Sequence, residues 1–168
     1  MSATLHGAGF RVCVVAARFN ELIVKELVTG ATEGLERLGV GKGDIDVVRT
    51  PGAFEVPALV RRAALSERYD AVIALGCVIR GATPHFDYVA GECAKGVGAV
   101  ALEVAQKGIA VVFGVLTTDS IEQALERAGT KAGNKGFDAA MAAVETVHAL
   151  RSMPGPQPAA PRGTKRKG

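Results

Sequence analysis

Four short apolar runs divide the chain, and each is followed by a stretch in which apolar residues recur every three or four positions. RVCVVAA (11–17), DIDVVRT (44–50), DAVIALGCVI (70–79) and IAVVFGVLTT (109–118) are rich in β-branched residues, which predicts strands. After the first run, Val24, Val28, Ala31, Leu35 and Leu38 fall on one helical face, with Asn20 placed to cap the helix and Gly39 to stop it. A second helix is predicted over 56–68, with Pro57 in its first turn, where a missing N–H costs nothing. A third spans 86–107, interrupted by Gly91, Gly96 and Gly98. Asp119 or Ser120 caps a short fourth helix ending at Gly129, and TKAGN links it tightly to a last helix over 135–151.

Strand and helix therefore alternate four times. This predicts an α/β fold, a parallel sheet with helices on both faces. Right-handed crossovers place every strand's carboxyl end on one edge. The segments there are RFN, PGAFE, RGATPH and TTD, and open sheets of this kind bind their ligands at that edge.

Composition sharpens the picture. The 168 residues suit one domain, assigned to 1–152, and 48% apolar with 22% charged excludes wholesale disorder. Trp is absent and aromatics are few, so the core is aliphatic, as parallel strands require. Residues 153–168, MPGPQPAAPRGTKRKG, read as a disordered basic tail. Taking its four basic residues from the formal +3 leaves −1 for the rest, which argues against nucleic-acid binding. Three widely spaced cysteines with no CxxC fit a reducing cytoplasm and core positions, and argue against a zinc site. No apolar run approaches a membrane span and the N-terminus has no signal-peptide pattern, so the expectation is a cytoplasmic protein without membrane contact.

The chemistry follows from the edge segments. GxGxxG is missing after the first strand, and GCVIRG lacks the Lys and Ser/Thr of a P-loop. RGATPH still suits an anion. Ala82 and Thr83 precede a helix start, where free N–H groups and the dipole attract negative charge; the same pattern also reads as a plain cap with Thr83 as capping residue. His85 lies at the beginning of that helix and can trade protons near neutral pH, or be an ordinary surface histidine. Phe19 can stack on a flat ring or staple the first helix. Glu55 can hold sugar hydroxyls or cap a helix. Arg127 can clamp a phosphate or pair with Glu122 or Glu126. His6 and His148 carry no signal, and nothing has metal-ligand spacing.

ARFN, PGAFEVP, GCVIRGATPHFDYV and FGVLTTDSIEQALERAGTKAGNKG occur in the order and context of the lumazine synthase family, and the chain resembles that family over roughly residues 5–150. The resemblance implies a flavodoxin-like three-layer sandwich with a four-stranded parallel sheet. It implies a transferase of riboflavin biosynthesis that condenses 5-amino-6-(D-ribitylamino)uracil with 3,4-dihydroxy-2-butanone 4-phosphate, releasing phosphate and water, with no metal or organic cofactor. Residue by residue, it implies that Phe19 stacks on the pyrimidine and that Ala53, Phe54 and Glu55 meet the ribityl chain. Cys77, Val78 and Ile79 would line the pyrimidine, and Ala82 and Thr83 would hold the phosphate. His85 would be the proton shuttle, Phe113 an apolar wall, and Arg127 the phosphate partner, with Lys131 and Lys135 nearby. Cys77 departs from the small aliphatic residue more usual there, and the basic tail lies outside the family's core.

The resemblance also implies small-molecule substrates and a homo-oligomer whose sites are shared between subunits. Pentameric rings are expected. The compact link GTKAGNKG (129–136) favours rings joined into an icosahedral capsid, with riboflavin synthase a candidate partner. The competing expectations are a lumazine- or flavin-binding protein or a shell-forming protein with little turnover, and a generic nucleotide-binding domain.

Overall fold

The computed structural model describes residues 5–155. Strands β1 (Val12–Ala17), β2 (Ile45–Thr50), β3 (Ala71–Ile79) and β4 (Ala110–Thr118) form one parallel sheet in the order β2-β1-β3-β4. Helices α1 (Glu21–Arg37), α2 (Val56–Leu65), α3 (His85–Val104), α4 (Ile121–Glu126) and α5 (Lys135–Ser152) complete the layers. The fold is the expected α/β sandwich.

Strand alternation sorts the core into two halves. Val12, Val14 and Ala16 of β1 join Ile73 and Leu75 of β3 against α1 and α5. Cys13, Val15 and Ala17 join Val72 and Ala74 against α2 and α3. The inner strands β1 and β3 are therefore apolar throughout, whereas the edge strands β2 and β4 leave Val47, Val48 and Phe113 exposed. The three cysteines are buried, as expected. α5 lies close on α1 because Gly136 has no side chain: a Cβ there would stand 1.9 Å from the Leu27 carbonyl oxygen. No helix among the described residues is long and apolar enough to cross a membrane.

Several boundaries differ from the sequence reading. On α1 the buried face is carried by Ile23, Val24, Leu27, Ala31 and Leu35, with Val28 and Leu38 only partly covered. α2 stops at Leu65, three residues early, because Ser66 caps it and Glu67 turns to φ +56°. α3 starts at His85 and gives way at Val104 to a 3₁₀ turn closed by Gly108. Ser120, not Asp119, caps α4, its Oγ accepting from the Gln123 amide at 3.2 Å. The link after α4 is a small antiparallel hairpin, β5 (Ala128–Thr130) with β6 (Gly133–Asn134), followed at once by α5. Asn134 caps that helix by accepting from the Gly136 and Phe137 amides at 2.8 and 3.2 Å. The tail from 156 onward lies outside the described residues.

Candidate active site

The site begins where the ladder ends. β1 pairs with β3 as far as Ala16 and Leu75, but β3 runs on through Gly76, Cys77, Val78 and Ile79 with only β4 beside it. The backbone groups of 77–79 that would face a longer β1 are left toward a cavity of about 670 Å³. This is the crevice where neighbouring parallel strands part company, and it suits a flat polar ring. One of those groups is taken within the chain: the Asn20 side-chain amide donates to the Cys77 carbonyl at 2.8 Å. Asn20 stands at the start of α1 with φ +59° and makes no side-chain cap, contrary to the sequence reading.

The loops after β1 and β2 are tied together. The Arg18 amide donates to Thr50 O at 2.8 Å and the Phe19 amide to Pro51 O at 3.0 Å. Phe19 is 72% exposed and lines the cavity, so it is not a staple on the helix. Ala53 is buried and Phe54 exposed, both on the same cavity wall. Glu55 does not cap α2. Its carboxylate folds back to accept from the Gly52 amide at 2.9 Å, which fixes it at the rim. Burial pushes the Cys77 thiol up to about 11, and those of Cys13 and Cys93 likewise. At neutral pH these are thiols and not nucleophiles.

The opposite wall is the segment from Arg80 into α3. Thr83 lines the cavity but does not cap the helix; Pro84 occupies the cap position and His85 is the first helical residue. His85 is exposed to the cavity, and Tyr88 follows it one turn later on the same wall. Ala82 stands in the loop without lining the cavity. Among the described residues no group of His, Cys, Asp and Glu is placed to hold a metal ion.

The remaining predicted residues lie elsewhere in the chain, toward the β4 edge of the sheet. Phe113 sits in the middle of β4 and lines a second cavity of about 350 Å³ with Arg127 and Lys135. Arg127 follows α4, where its Nη1 donates to Gln123 O at 2.9 Å, and a Glu126 oxygen lies 3.8 Å away. Lys135 pairs with Asp138 at 2.8 Å. Lys131 is exposed at the hairpin tip and lines neither cavity. The two cavities share no lining residue.

Sequence reasoning passed over Asn20 as a backbone clamp, Tyr88 and Asp138. The last two stand three residues from His85 and Lys135, a helical spacing that would have found them. Arg80 was also missed, because its partners are scattered along the chain.

Comparison with known proteins matches residues 9–151 to the family model described as 6,7-dimethyl-8-ribityllumazine synthase. A relative of that name from Anaeromyxobacter sp. (strain Fw109-5) is 60% identical over 148 residues, covering 88% of this chain and 89% of the relative. Another from Anaeromyxobacter sp. (strain K) is 57% identical over 150 residues, 89% of this chain and 91% of the relative.

Proposed function

The chain belongs to the 6,7-dimethyl-8-ribityllumazine synthase family, and from that membership we propose how its two half-sites serve the family's reaction. The protein is a transferase of riboflavin biosynthesis that joins 5-amino-6-(D-ribitylamino)uracil to 3,4-dihydroxy-2-butanone 4-phosphate, with loss of phosphate and water.

The observation that carries the assignment of roles is the convergence of an exposed aromatic, an unpaired strand edge, an anchored carboxylate and a loop ending in histidine on one cavity. The pyrimidine stacks on Phe19 and hydrogen-bonds the backbone of Cys77, Val78 and Ile79. Its ribityl chain runs past Ala53 and Phe54 to the Glu55 carboxylate. The four-carbon phosphate sits against Ala82 and Thr83, where the α3 amides and dipole favour an anion. The pyrimidine's amine then adds to the ketone and water leaves as the imine forms. A proton is taken from carbon beside the imine, and the C–O bond to phosphate breaks. The enol left behind tautomerises to a ketone, and the ribitylamino nitrogen adds to that carbonyl and closes the ring with loss of a second water. His85 moves these protons.

Arg127 belongs to the other cavity, with Phe113 and Lys135. In this reading a neighbouring subunit brings that cavity to face the first, so that its Arg127 neutralises the phosphate and its Phe113 covers the ring. Lys131 reaches the same phosphate from the hairpin tip. Small molecules are thus the substrates and an oligomer is the working unit. We infer pentameric rings. The compact hairpin before α5 favours rings assembled into a capsid, and riboflavin synthase is the natural partner for the product. The catalytic domain is residues 1–152, the setting is the cytoplasm, and the tail has no catalytic role.

Mixing the two substrates tests the reading. Lumazine absorbance and fluorescence should rise with one phosphate released per product. His85→Ala should lower kcat by roughly 10²-fold or more without abolishing turnover, because approximation of the substrates persists. Tight lumazine binding without turnover would identify a carrier or shell protein instead, and an unchanged kcat and pH profile in His85→Ala would remove the shuttle. Sedimentation as a lone subunit would sink the shared site; a stable free pentamer would sink only the capsid.

A further inference from the structure

No role has been given to Arg80, which follows β3 directly and precedes the loop that carries Thr83 and leads into His85. That loop has little to hold it. Residues 80–85 are all exposed, and α3 starts without a side-chain cap. A Cβ on Gly81 would meet nothing within 4 Å. Among the described residues neither Thr83 nor His85 has a side-chain hydrogen bond.

Arg80 supplies the missing ties from both sides. Its amide donates to Thr118 O at 2.8 Å, extending the β3–β4 ladder by one rung. Its Nε donates to Asp119 just beyond β4 at 2.9 Å, and its Nη1 to Asp87 in the first turn of α3 at 3.3 Å. The guanidinium also lies over the Phe86 ring, 4.2 Å from the centroid. Phe86 is itself part of the cavity wall. The residue before the loop thus grips the two residues directly after His85. Two acids and a ring face at once demand a planar fork, which a lysine cannot imitate. Asp87 matters for a second reason. Its charge stands in the first helical turn, on the helix whose start is proposed to hold the phosphate, and the arginine pairs with it at 3.3 Å.

We propose that Arg80 is a positioning residue for the reaction: by gripping Asp119, Asp87 and the Phe86 face together, it fixes the 81–84 loop and His85 against the substrates and keeps the Asp87 carboxylate off the phosphate position. The proposal rests on the roles assigned above to that loop and to His85. Its contribution is to geometry and not to folding, since the pairs are half-exposed and such pairs stabilise little.

The test is steady-state kinetics of full-length assembled Arg80→Gln, varying each substrate in turn. Misplacement by a fraction of an ångström should raise KM for the four-carbon phosphate about tenfold and lower kcat about tenfold. KM for the pyrimidine, held by the opposite wall, should stay within about twofold, and Tm within about 3 °C. Placed in a His85→Ala background, Arg80→Gln should change kcat less than about twofold, because the shuttle it positions is gone. Adding Asp87→Asn to Arg80→Gln should recover at least about threefold of the lost phosphate-substrate KM. Unchanged kinetics, an equal rise in both KM values with a lowered Tm, or an undiminished kcat loss without His85 would each overturn the proposal. If His85→Ala alone is silent, the shuttle reading fails, and the KM split and its rescue by Asp87→Asn alone decide on Arg80. Asp119→Asn repeats the test with the arginine in place, should Arg80→Gln fail to assemble.

Discussion

Asn20 offers a perturbation whose magnitude follows from two separate features. Its backbone has φ +59°, and its side chain donates to the Cys77 carbonyl at 2.8 Å across to the end of β3. Asparagine tolerates the left-handed region better than alanine, for which it costs roughly 1–2 kcal/mol. The hydrogen bond contributes about 0.5–1.5 kcal/mol; since Cys77 O lies beside an open cavity, water can replace the lost donor and no further desolvation cost arises. Asn20→Gly should therefore lose only the bond, about 1 kcal/mol, and Asn20→Ala about 2–3 kcal/mol. Urea denaturation at equal protein concentration separates them, as assembly makes stability concentration-dependent. Both variants also free the loop that carries Phe19, so both should raise KM for the pyrimidine more than KM for the phosphorylated substrate. Equal losses for Gly and Ala would mean that the backbone conformation carries no strain. Wild-type stability and pyrimidine KM in Asn20→Gly would mean that the bond to Cys77 is idle.

Arg127→Ala should mainly raise KM for the phosphorylated substrate, leaving the pyrimidine KM nearly unchanged; a loss confined to kcat would contradict a phosphate-binding role. Gly136→Ala should destabilise by roughly 3 kcal/mol or prevent assembly, because its Cβ would meet the Leu27 carbonyl oxygen at 1.9 Å; denaturation and sedimentation of the purified variant measure it. Burial raises the Cys13, Cys77 and Cys93 thiols from 9.0 to about 11, so their stabilising contribution is complete below about pH 9 and is lost as pH rises through 11. The urea midpoint should accordingly fall between pH 9 and 10.5, and native protein should resist alkylation at pH 8 while unfolded protein reacts at all three.

Much of this was legible from periodicity. The inner strands are apolar because both their faces are covered, and a run such as AVIALGCVI records that directly. Edge segments with Phe19, Glu55 and His85 were found because parallel topology puts loop chemistry on one edge. What stayed hidden depended on distance along the chain. Thr83 reads as a cap, yet Pro84 takes that position. Asn20 reads as a cap, yet its side chain spends its donor on Cys77, 57 residues away. The β5–β6 hairpin is too short for any period to register, and its Gly133 at φ +75° is the feature that lets TKAGN turn.

The length mismatch between β1 and β3 explains why the first cavity sits where it does. Because β1 pairs no further than Leu75, the end of β3 gains an open edge facing Phe19 and Glu55. On its other side β3 stays paired to β4 through Ile79 and Thr118, so the sheet itself separates that cavity from any group beyond the far edge of β4. Phe113 and Arg127 lie toward that far edge, in a cavity of their own. Under the proposed roles, this aromatic and this cation match what the first cavity lacks: a lid and a counter-charge for phosphate. In the shared arrangement proposed above, the carboxyl edge of one copy would meet the β4 edge of the next, a head-to-tail contact that gives a ring where the rotation closes. A mixture of His85→Ala and Arg127→Ala proteins, assayed with the phosphorylated substrate well below the raised KM of Arg127→Ala so that each alone is slow, should recover activity when co-assembled if sites are shared, since some interfaces then carry both intact halves. No recovery in mixed assemblies would place the two residues in the same copy's site and refute the shared arrangement.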